Sequence, residues 1–281
     1  MKEMSVDLAS SDDLAAFDQL TAFLGQTQSL LVAYSGGVDS TLLAYGAHLA
    51  LGSQAVMVTA ISPSLAAEDR ARAQEIAQSF GWTHLESHTQ ELERPAYRAN
   101  GPDRCFHCKT ELFQHLLQLA AEKKFRHIAY GAIPEDAGDH RPGARAAKEA
   151  KVLAPLARLG LTKPRLRRLS KHFDLPTWNI PAQACLASRI SYFQEVTKEK
   201  LSSVERGEEF LRQLGFPACR LRHHDKIARI EVPQEQLGEL VEKREEVNRM
   251  MRKLGFTYIT LDLMGLRSGS MNEALQLRVI S

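Results

Sequence analysis

The chain has 281 residues, 44% of them hydrophobic and 25% charged, with a formal net charge of +2. That length suits two compact domains, and the composition is that of an ordinary globular protein. The near-neutral balance excludes the overall basic field that marks an obligatory nucleic-acid partner, and no apolar run reaches the roughly 18 residues a membrane helix needs.

The opening "MKEMSVDLASSDDLAAFDQL" carries several acids and lacks the basic start and apolar core of a secretory signal, so a cytoplasmic location is expected. There, Cys105, Cys108, Cys185 and Cys219 are expected as metal ligands or reactive thiols rather than disulfides.

Residues 11–27 predict a helix entered through Ser/Asp caps, and "SLLVAY" a short apolar strand of the kind a parallel sheet buries. The turn "SGGVDS" leads into the helix "TLLAYGAHLALG", followed by the strand "AVMVTA", the helix "LAAEDRARAQEIAQSFG" and the strand "THLESHTQ". "RPAYRANGPDRCFHCK" reads as a loop entering the helix "TELFQHLLQLAAEKKF". Next come the strand "HIAYGA", an irregular stretch "IPEDAGDHRPGARAAKEA", the strand "VLAPL" and the basic helix "TKPRLRRLSKHFDL". Strict alternation of strand and helix predicts right-handed crossovers and an α/β, doubly wound parallel sheet.

"PTWNIPAQACLASRISYF" has two prolines and little periodicity, so a junction is placed there, with domains expected at 1–188 and 189–281. Beyond it the pattern reads helix ("KEKLSSVERGEEFLRQLG"), strand pair or long strand ("ACRLRHHDKIARIEV"), helix ("QEQLGELVEKREEVNRMMRKLG") and strand ("YITLDL"). This order predicts a small α+β domain with an antiparallel or mixed sheet. No internal repeat or low-complexity segment is present.

A strand, a Ser-Gly-Gly turn and a helix make an anion site. Glycine admits tight positive-φ geometry, and amides at a helix start then face a phosphate. Ser35, Ser40 and Thr41 offer hydroxyls, and Asp39 could position Mg²⁺ or order the turn. A plain strand-to-helix turn has the same composition. Neither a G-x-x-x-x-G-K-[ST] loop nor G-x-G-x-x-G occurs here. "SGGVDS" after an apolar strand does resemble the signature of the PP-loop ATP pyrophosphatases. The resemblance implies ATP, its pyrophosphate cradled by Ser35, Gly36, Gly37, Asp39 and Ser40, and transfer of AMP to a substrate oxygen.

Adenylation makes AMP a leaving group that ammonia, an amine or sulfur can displace. No cysteine stands at position 2 and no glutaminase-like half is visible, whereas the cysteines are a candidate source of sulfur. One C-x-x-C, Cys105 to Cys108, is a weak signal by itself. A structural zinc would need two further ligands, with His84, His88, His107 and His115 as candidates. If loops at the carboxyl ends of the strands converge, Cys185 could join Cys105 and Cys108, and three thiolates suit a [4Fe-4S] cluster with one iron open. Cys219, in "FPACRLR", reads as a small packed residue.

Taken together, "SGGVDSTLL", "PDRCFHCKTELF", "GDHRPGARAAKEAKVLAPL", "LTKPRLRRLSK", "LPTWNIPAQACLASRISY", "RLRHHDKIARIEV" and "YITLDLMGLRSGSMNEAL" resemble the LarE family over almost the full chain. These are ATP-dependent sulfur transferases that build the nickel-pincer nucleotide of lactate racemase. The resemblance implies conversion of the two carboxylates of pyridinium-3,5-biscarboxylic acid mononucleotide to thiocarboxylates, each after adenylation. Some members carry only the cysteine matching Cys185 and give up its sulfur, leaving dehydroalanine; others add a C-x-x-C and hold a [4Fe-4S] cluster. Cys105, Cys108 and Cys185 fit the second type.

The resemblance further implies that backbone at Ala60 and Gly131 meets adenine and ribose, and that Lys109 neutralises charge developing in adenylation. Arg220 and Arg222 share a strand face and match positions that hold a phosphate, a task for which the guanidinium fork is suited. Ser188 and Arg189 would position substrate near the sulfur, and Glu231 would hold Mg²⁺ or phosphate-bound water. Asp136, Asp139, Arg141 and Arg145 crowd a loop at a family motif, expected as an active-site or subunit contact. A homo-oligomer is implied, with a small nucleotide substrate and neither nucleic acid nor membrane as partner. One departure stands out: the family's Pro-Tyr-Gly after "SRI" is Ser191-Tyr192-Phe193 here, which predicts a differently shaped turn. Three rivals remain: a tRNA thiolase, for which the basic helix "TKPRLRRLSK" could face RNA, although a solvated basic face is the plainer reading of it, an ATP-binding module with structural zinc, and an amidotransferase using free ammonia.

Overall fold

The computed structural model describes residues 8–136, 142–181, 184–267 and 269–276. In chain order the elements are α1 (Ser11–Gly25), β1 (Leu30–Ala33), α2 (Val38–Leu51), β2 (Ala55–Ile61), α3 (Ala67–Ser79), β3 (Thr83–His88), α4 (Pro95–Arg98), α5 (Arg104–Lys123) and β4 (His127–Tyr130). There follow α6 (Pro142–Glu149), α7 (Pro155–Arg158), α8 (Lys163–His172), α9 (Lys198–Gln213), β5 (Arg220–His224), β6 (Ile227–Glu231), α10 (Leu237–Glu242), α11 (Arg244–Lys253), β7 (Tyr258–Leu261) and α12 (Glu273–Gln276).

The chain forms two compact units: residues 1–91 with 105–183, and residues 92–104 with 184–281. The expected division at 188/189 did not foresee that 92–104 groups with the second unit. Asn100 gives one physical reason: its side-chain amide donates to the carbonyls of Ile190 and Ser191, and its own carbonyl accepts from Phe193 N.

In the first unit four strands pair in parallel in the order β3-β2-β1-β4. Successive side chains leave a strand on opposite faces, and here both faces are covered. Leu30, Val32 and Met57 pack into a core with Leu20, Leu24, Leu42, Leu43 and Leu166 of α1, α2 and α8. Leu31, Val56 and Val58 pack on the other side with Phe113 and Leu116 of α5 and Ala146 of α6. This is the doubly wound α/β sheet that the alternation predicts. α1 starts with a capping box, Ser10 Oγ accepting from Asp13 N and Asp13 accepting from Ser10 N.

Three local expectations are corrected. "VLAPL" is not a full strand: Leu153 makes one parallel bridge to Ala129, and Pro155, suited to a first helical turn, opens α7. The irregular stretch after β4 contains α6. The C-x-x-C lies inside the N-terminal end of α5, not on the loop before it.

In the second unit β5 and β6 form an antiparallel hairpin and β7 adds parallel to β6, a mixed three-stranded sheet in the order β5-β6-β7. One face, with Leu221, Ala228 and Ile230, packs on Leu211, Leu240, Val247 and Met251 from α9, α10 and α11. The single helix expected over 234–255 is two, because the chain turns at Lys243, whose ammonium donates to Leu214 O.

Candidate functional site

The glycine turn sits where the sheet's connectivity reverses. From β1 the chain moves to β2 on one side and later reaches β4 on the other, and the crevice beyond the carboxyl ends of such strands is where doubly wound folds take ligands. Gly36 has φ +67°, and a Cβ there would stand 3.0 Å from Ala73 Cα, so glycine alone lets α3 approach the turn this closely. α2 opens at Val38 with Gly37 as its N-cap and no side chain capping it, so its first amides face outward. Ser40 Oγ accepts from Ser35 N at 3.2 Å, lies 3.1 Å from Ser35 Oγ and donates to Gly37 O at 3.2 Å. The two hydroxyls therefore close the loop around its amides. Gly131, just past β4, runs against α2: a Cβ there would come within 3.0 Å of Ser40 N. Ala60 lies near the carboxyl end of β2, half-buried.

Asp39, in the first turn of α2, accepts from Lys163 Nζ on both oxygens, at 2.7 and 2.8 Å. Burial pushes the Asp39 carboxyl up from its ordinary range, against the pull of Lys163. Lys163 is a residue the sequence reading missed, although it lies in the singled-out "LTKPRLRRLSK". Neither reading of that helix, RNA-facing or solvated, describes what its charges do. Arg165 and Arg168 bind the fully buried Asp13, and Arg167 donates to the carbonyls of Trp178 and Ile180.

Lys109 lies over the Tyr130 ring, 4.9 Å from its centroid, and a Cβ at Gly143 would strike its aliphatic stem. It thus sits between α5, the end of β4 and α6. Tyr130 is raised by burial and by Asp136 nearby. Asp136 caps its own turn through Ile133 N, and Arg145 stacks over Phe106 at 3.8 Å. Asp139 and Arg141 lie outside the described residues.

Cys105 is exposed and Cys108 half-buried, three apart across the first and second turns of α5, a spacing that puts both on one helix side. Of the histidines weighed as zinc partners, His84 is engaged by Thr59 Oγ1 at 2.8 Å and His115 by Glu111 at 3.0 Å. Among the described residues no group of three His, Cys, Asp or Glu is gathered to hold a metal ion.

In the second unit Cys185 is exposed and starts the short 3₁₀ turn Leu186–Arg189. Its carbonyl accepts from Ser188 Oγ at 2.7 Å, Ser188 N at 3.0 Å and Arg189 Nη1 at 3.1 Å. Arg189 is buried, donates also to Ala184 O, and pairs with the buried Glu208 of α9. Ser188 and Arg189 Nη1 therefore donate to the turn that presents the Cys185 thiol, while Arg189 Nε and Nη2 serve Glu208. Glu208, whose Oε1 also accepts from Leu221 N, is a second residue that sequence reasoning missed. A buried carboxylate on a polar helix carries no sequence signal.

Register places Arg220, Arg222, Arg229 and Glu231 on one sheet face, opposite the apolar core. Glu231 is fully buried: Arg222 donates two bonds to Oε2 at 3.0 and 2.8 Å, and Arg229 and Ser270 bind Oε1 at 3.0 and 2.7 Å. Arg220 is half-buried, donates to Cys219 O at 2.6 Å, and has its pKa lowered by burial and by neighbouring guanidinium groups. Cys219 is buried, its thiol pushed up to about 12 by burial. Phe193 has φ +66°, so position 193 adopts the left-handed region that glycine favours; Ser191 Oγ meets His224 Nδ1 at 2.7 Å.

No helix among the described residues is long and apolar enough to cross a membrane. No family model matches the chain. An uncharacterized protein of Synechocystis is 43% identical over 92% of this chain and 97% of its own. An uncharacterized protein of Methanocaldococcus jannaschii is 26% identical over 85% of the chain and 90% of its own. The pyridinium-3,5-bisthiocarboxylic acid mononucleotide synthase of Lactiplantibacillus plantarum is 35% identical over 91% of this chain and 93% of its own. A parallel α/β unit with a glycine turn at its switch point, joined to that degree of identity over nearly all of both chains, means that this chain belongs to the LarE family of such synthases.

Proposed function

We propose that the protein is an ATP-dependent sulfur transferase that adenylates a carboxylate of a pyridinium mononucleotide and replaces its oxygen with sulfur. The observation carrying this reading is the glycine turn: outward amides at the α2 start and paired Ser35 and Ser40 hydroxyls at the switch point suit a pyrophosphate. The named relative in L. plantarum supports the substrate class. In the first step a carboxylate oxygen attacks the α-phosphorus of ATP, pyrophosphate leaves, and an acyl-adenylate forms. Ser35, Gly36, Gly37 and Ser40 hold the departing pyrophosphate, Asp39 positions Mg²⁺, Lys109 offsets charge, and backbone at Ala60 and Gly131 meets the nucleoside. In the second step sulfur attacks the acyl carbon and AMP leaves.

Cys105, Cys108 and Cys185 are the residues that would hold a [4Fe-4S] cluster, whose open iron would supply sulfide for repeated turnover. Arg220 and Arg222 are assigned to the substrate's phosphate, and Ser188, Arg189 and Glu231 to the frame around them. A second reading has a specific observation in its favour. The Cys185 thiol is exposed at the start of its 3₁₀ turn and could act alone. Its thiolate would displace AMP to give a thioester; loss of the Cα proton and cleavage of Cβ–S would then leave dehydroalanine at 185 and the thiocarboxylate on the substrate.

The protein purified without oxygen, with iron and sulfide quantified and its mass read after turnover, tests both. Iron and sulfide that vanish in Cys105→Ala, Cys108→Ala and Cys185→Ala support the cluster. A loss of hydrogen sulfide mass at Cys185 supports sacrifice. Zinc without iron overturns the cluster, ATP hydrolysis that follows ammonium and ignores cysteine replacement overturns sulfur transfer, and thiolated nucleosides missing from the tRNA of a deletion strain overturn the small-molecule substrate.

A further inference from the structure

The Asp39–Lys163 pair joins the glycine turn to a helix distant in sequence. Lys163 is the first residue of α8, and its amide is fixed by Glu135 Oε1 at 2.9 Å. Its ammonium grips both Asp39 oxygens, and both side chains stay about a quarter to a third exposed, so the pair opens to solvent beside the turn. A carboxylate placed here would repel a polyphosphate arriving at the α2 amides, and the lysine cancels that charge. Two other cations of this region are committed: Arg72 donates to Gly36 O and pairs with Asp69, and Arg167 is bound to two carbonyls. A lysine is a point charge on a flexible stem, and a short swing carries its ammonium from a carboxylate oxygen to a phosphate oxygen next to it.

We propose that Lys163 is a phosphate-binding residue of the nucleotide site, held ready by Asp39 and handed to the pyrophosphate end of ATP when the nucleotide enters. This inference rests on the reading of the glycine turn as an ATP site. It assigns Lys163 to the leaving group, so its contribution belongs to ATP and to pyrophosphate and is absent from AMP.

The test is calorimetric binding of ATP, inorganic pyrophosphate and AMP to the full chain, as wild type, Lys163→Gln and Lys163→Arg. The expected result is a loss of about 10- to 100-fold for ATP and pyrophosphate in Lys163→Gln, the range of one hydrogen bond to a charged group. AMP binding should stay unchanged, and Lys163→Arg should recover most of the loss. Equal weakening of ATP and AMP would show that Lys163 merely orders the turn through Asp39 and would overturn the proposal, as would wild-type pyrophosphate affinity in Lys163→Gln. A wild type that binds neither ATP nor pyrophosphate would instead overturn the nucleotide reading itself. Acylation of Lys163 in the wild-type chain, read by mass spectrometry, is independent of how the variants fold. ATP and pyrophosphate should protect it and AMP should not; no protection sinks the assignment.

Discussion

Removing Glu231 discriminates between a carboxylate that serves a ligand and one that holds the sheet together. Its two oxygens accept four hydrogen bonds, two from Arg222 and one each from Arg229 and Ser270. The carboxylate is fully buried, the Arg222 side chain is 9% exposed and the Arg229 side chain 25%. Arg229 can turn to solvent, but Arg222 cannot, so Glu231→Ala strands a buried guanidinium at a cost of about 3–5 kcal/mol. Against a total stability of roughly 5–15 kcal/mol that is a large fraction. Glu231→Gln keeps one acceptor oxygen and the shape, and should cost less. Arg222→Met combined with Glu231→Leu removes both charges and should recover most of the loss, because well-packed apolar replacements of a buried pair are often near neutral. The assay is urea unfolding followed by far-ultraviolet circular dichroism, with hydrogen exchange of the β5 and β6 amides to localise the change. Both tryptophans, Trp82 and Trp178, lie in the first unit, so their fluorescence is the wrong probe. A Glu231→Ala loss below about 1 kcal/mol, the level of a surface ion pair, would refute the reasoning, and so would a double variant no better than the single.

Gly131→Ala should weaken ATP binding about tenfold and lower stability by about 1–3 kcal/mol, since its Cβ would press on the backbone at Ser40 in the first turn of α2; unaltered affinity would show the approach to be slack. His223 has its pKa lowered to about 4, chiefly by burial and then by Lys200. An unfolded histidine takes its proton near pH ~6.5, so its contribution is complete above that value and falls as pH drops toward about 4, a loss on the order of 3 kcal/mol. Urea midpoints across that window should fall in the wild type and flatten in His223→Leu, while His224, lowered mainly by burial, leaves a residual drop of the same sign. In native labelling with iodoacetamide, Cys105 and Cys185 should react and Cys219 should not, its thiol being buried and raised; mass spectrometry that finds Cys219 modified first would contradict the packing.

Much of the first unit was legible in the chain. Short apolar runs alternating with amphipathic helices can bury both strand faces only as a doubly wound parallel sheet, and two glycines between a buried strand and a helix mark an anion turn whatever surrounds them. Local chemistry decides such features, so periodicity and residue type carry them. α6 and the break at Lys243 were missed because the first is short and polar and the second interrupts an unbroken helical pattern with a lysine that serves as a cap.

What the sequence could not state is which charge meets which. "TKPRLRRLSK" reads as a solvated basic face, yet Lys163 reaches Asp39 and Arg165 and Arg168 reach Asp13, partners more than a hundred residues away. Arg189, Arg222 and Glu231 read as ligand contacts, and nothing in the chain announces that the fold also pairs Arg189 with Glu208 and Arg222 with Glu231 inside the second unit. Ion pairs across such separations leave no period in the chain, because they exist only once the fold has brought the two groups together and removed the water between them.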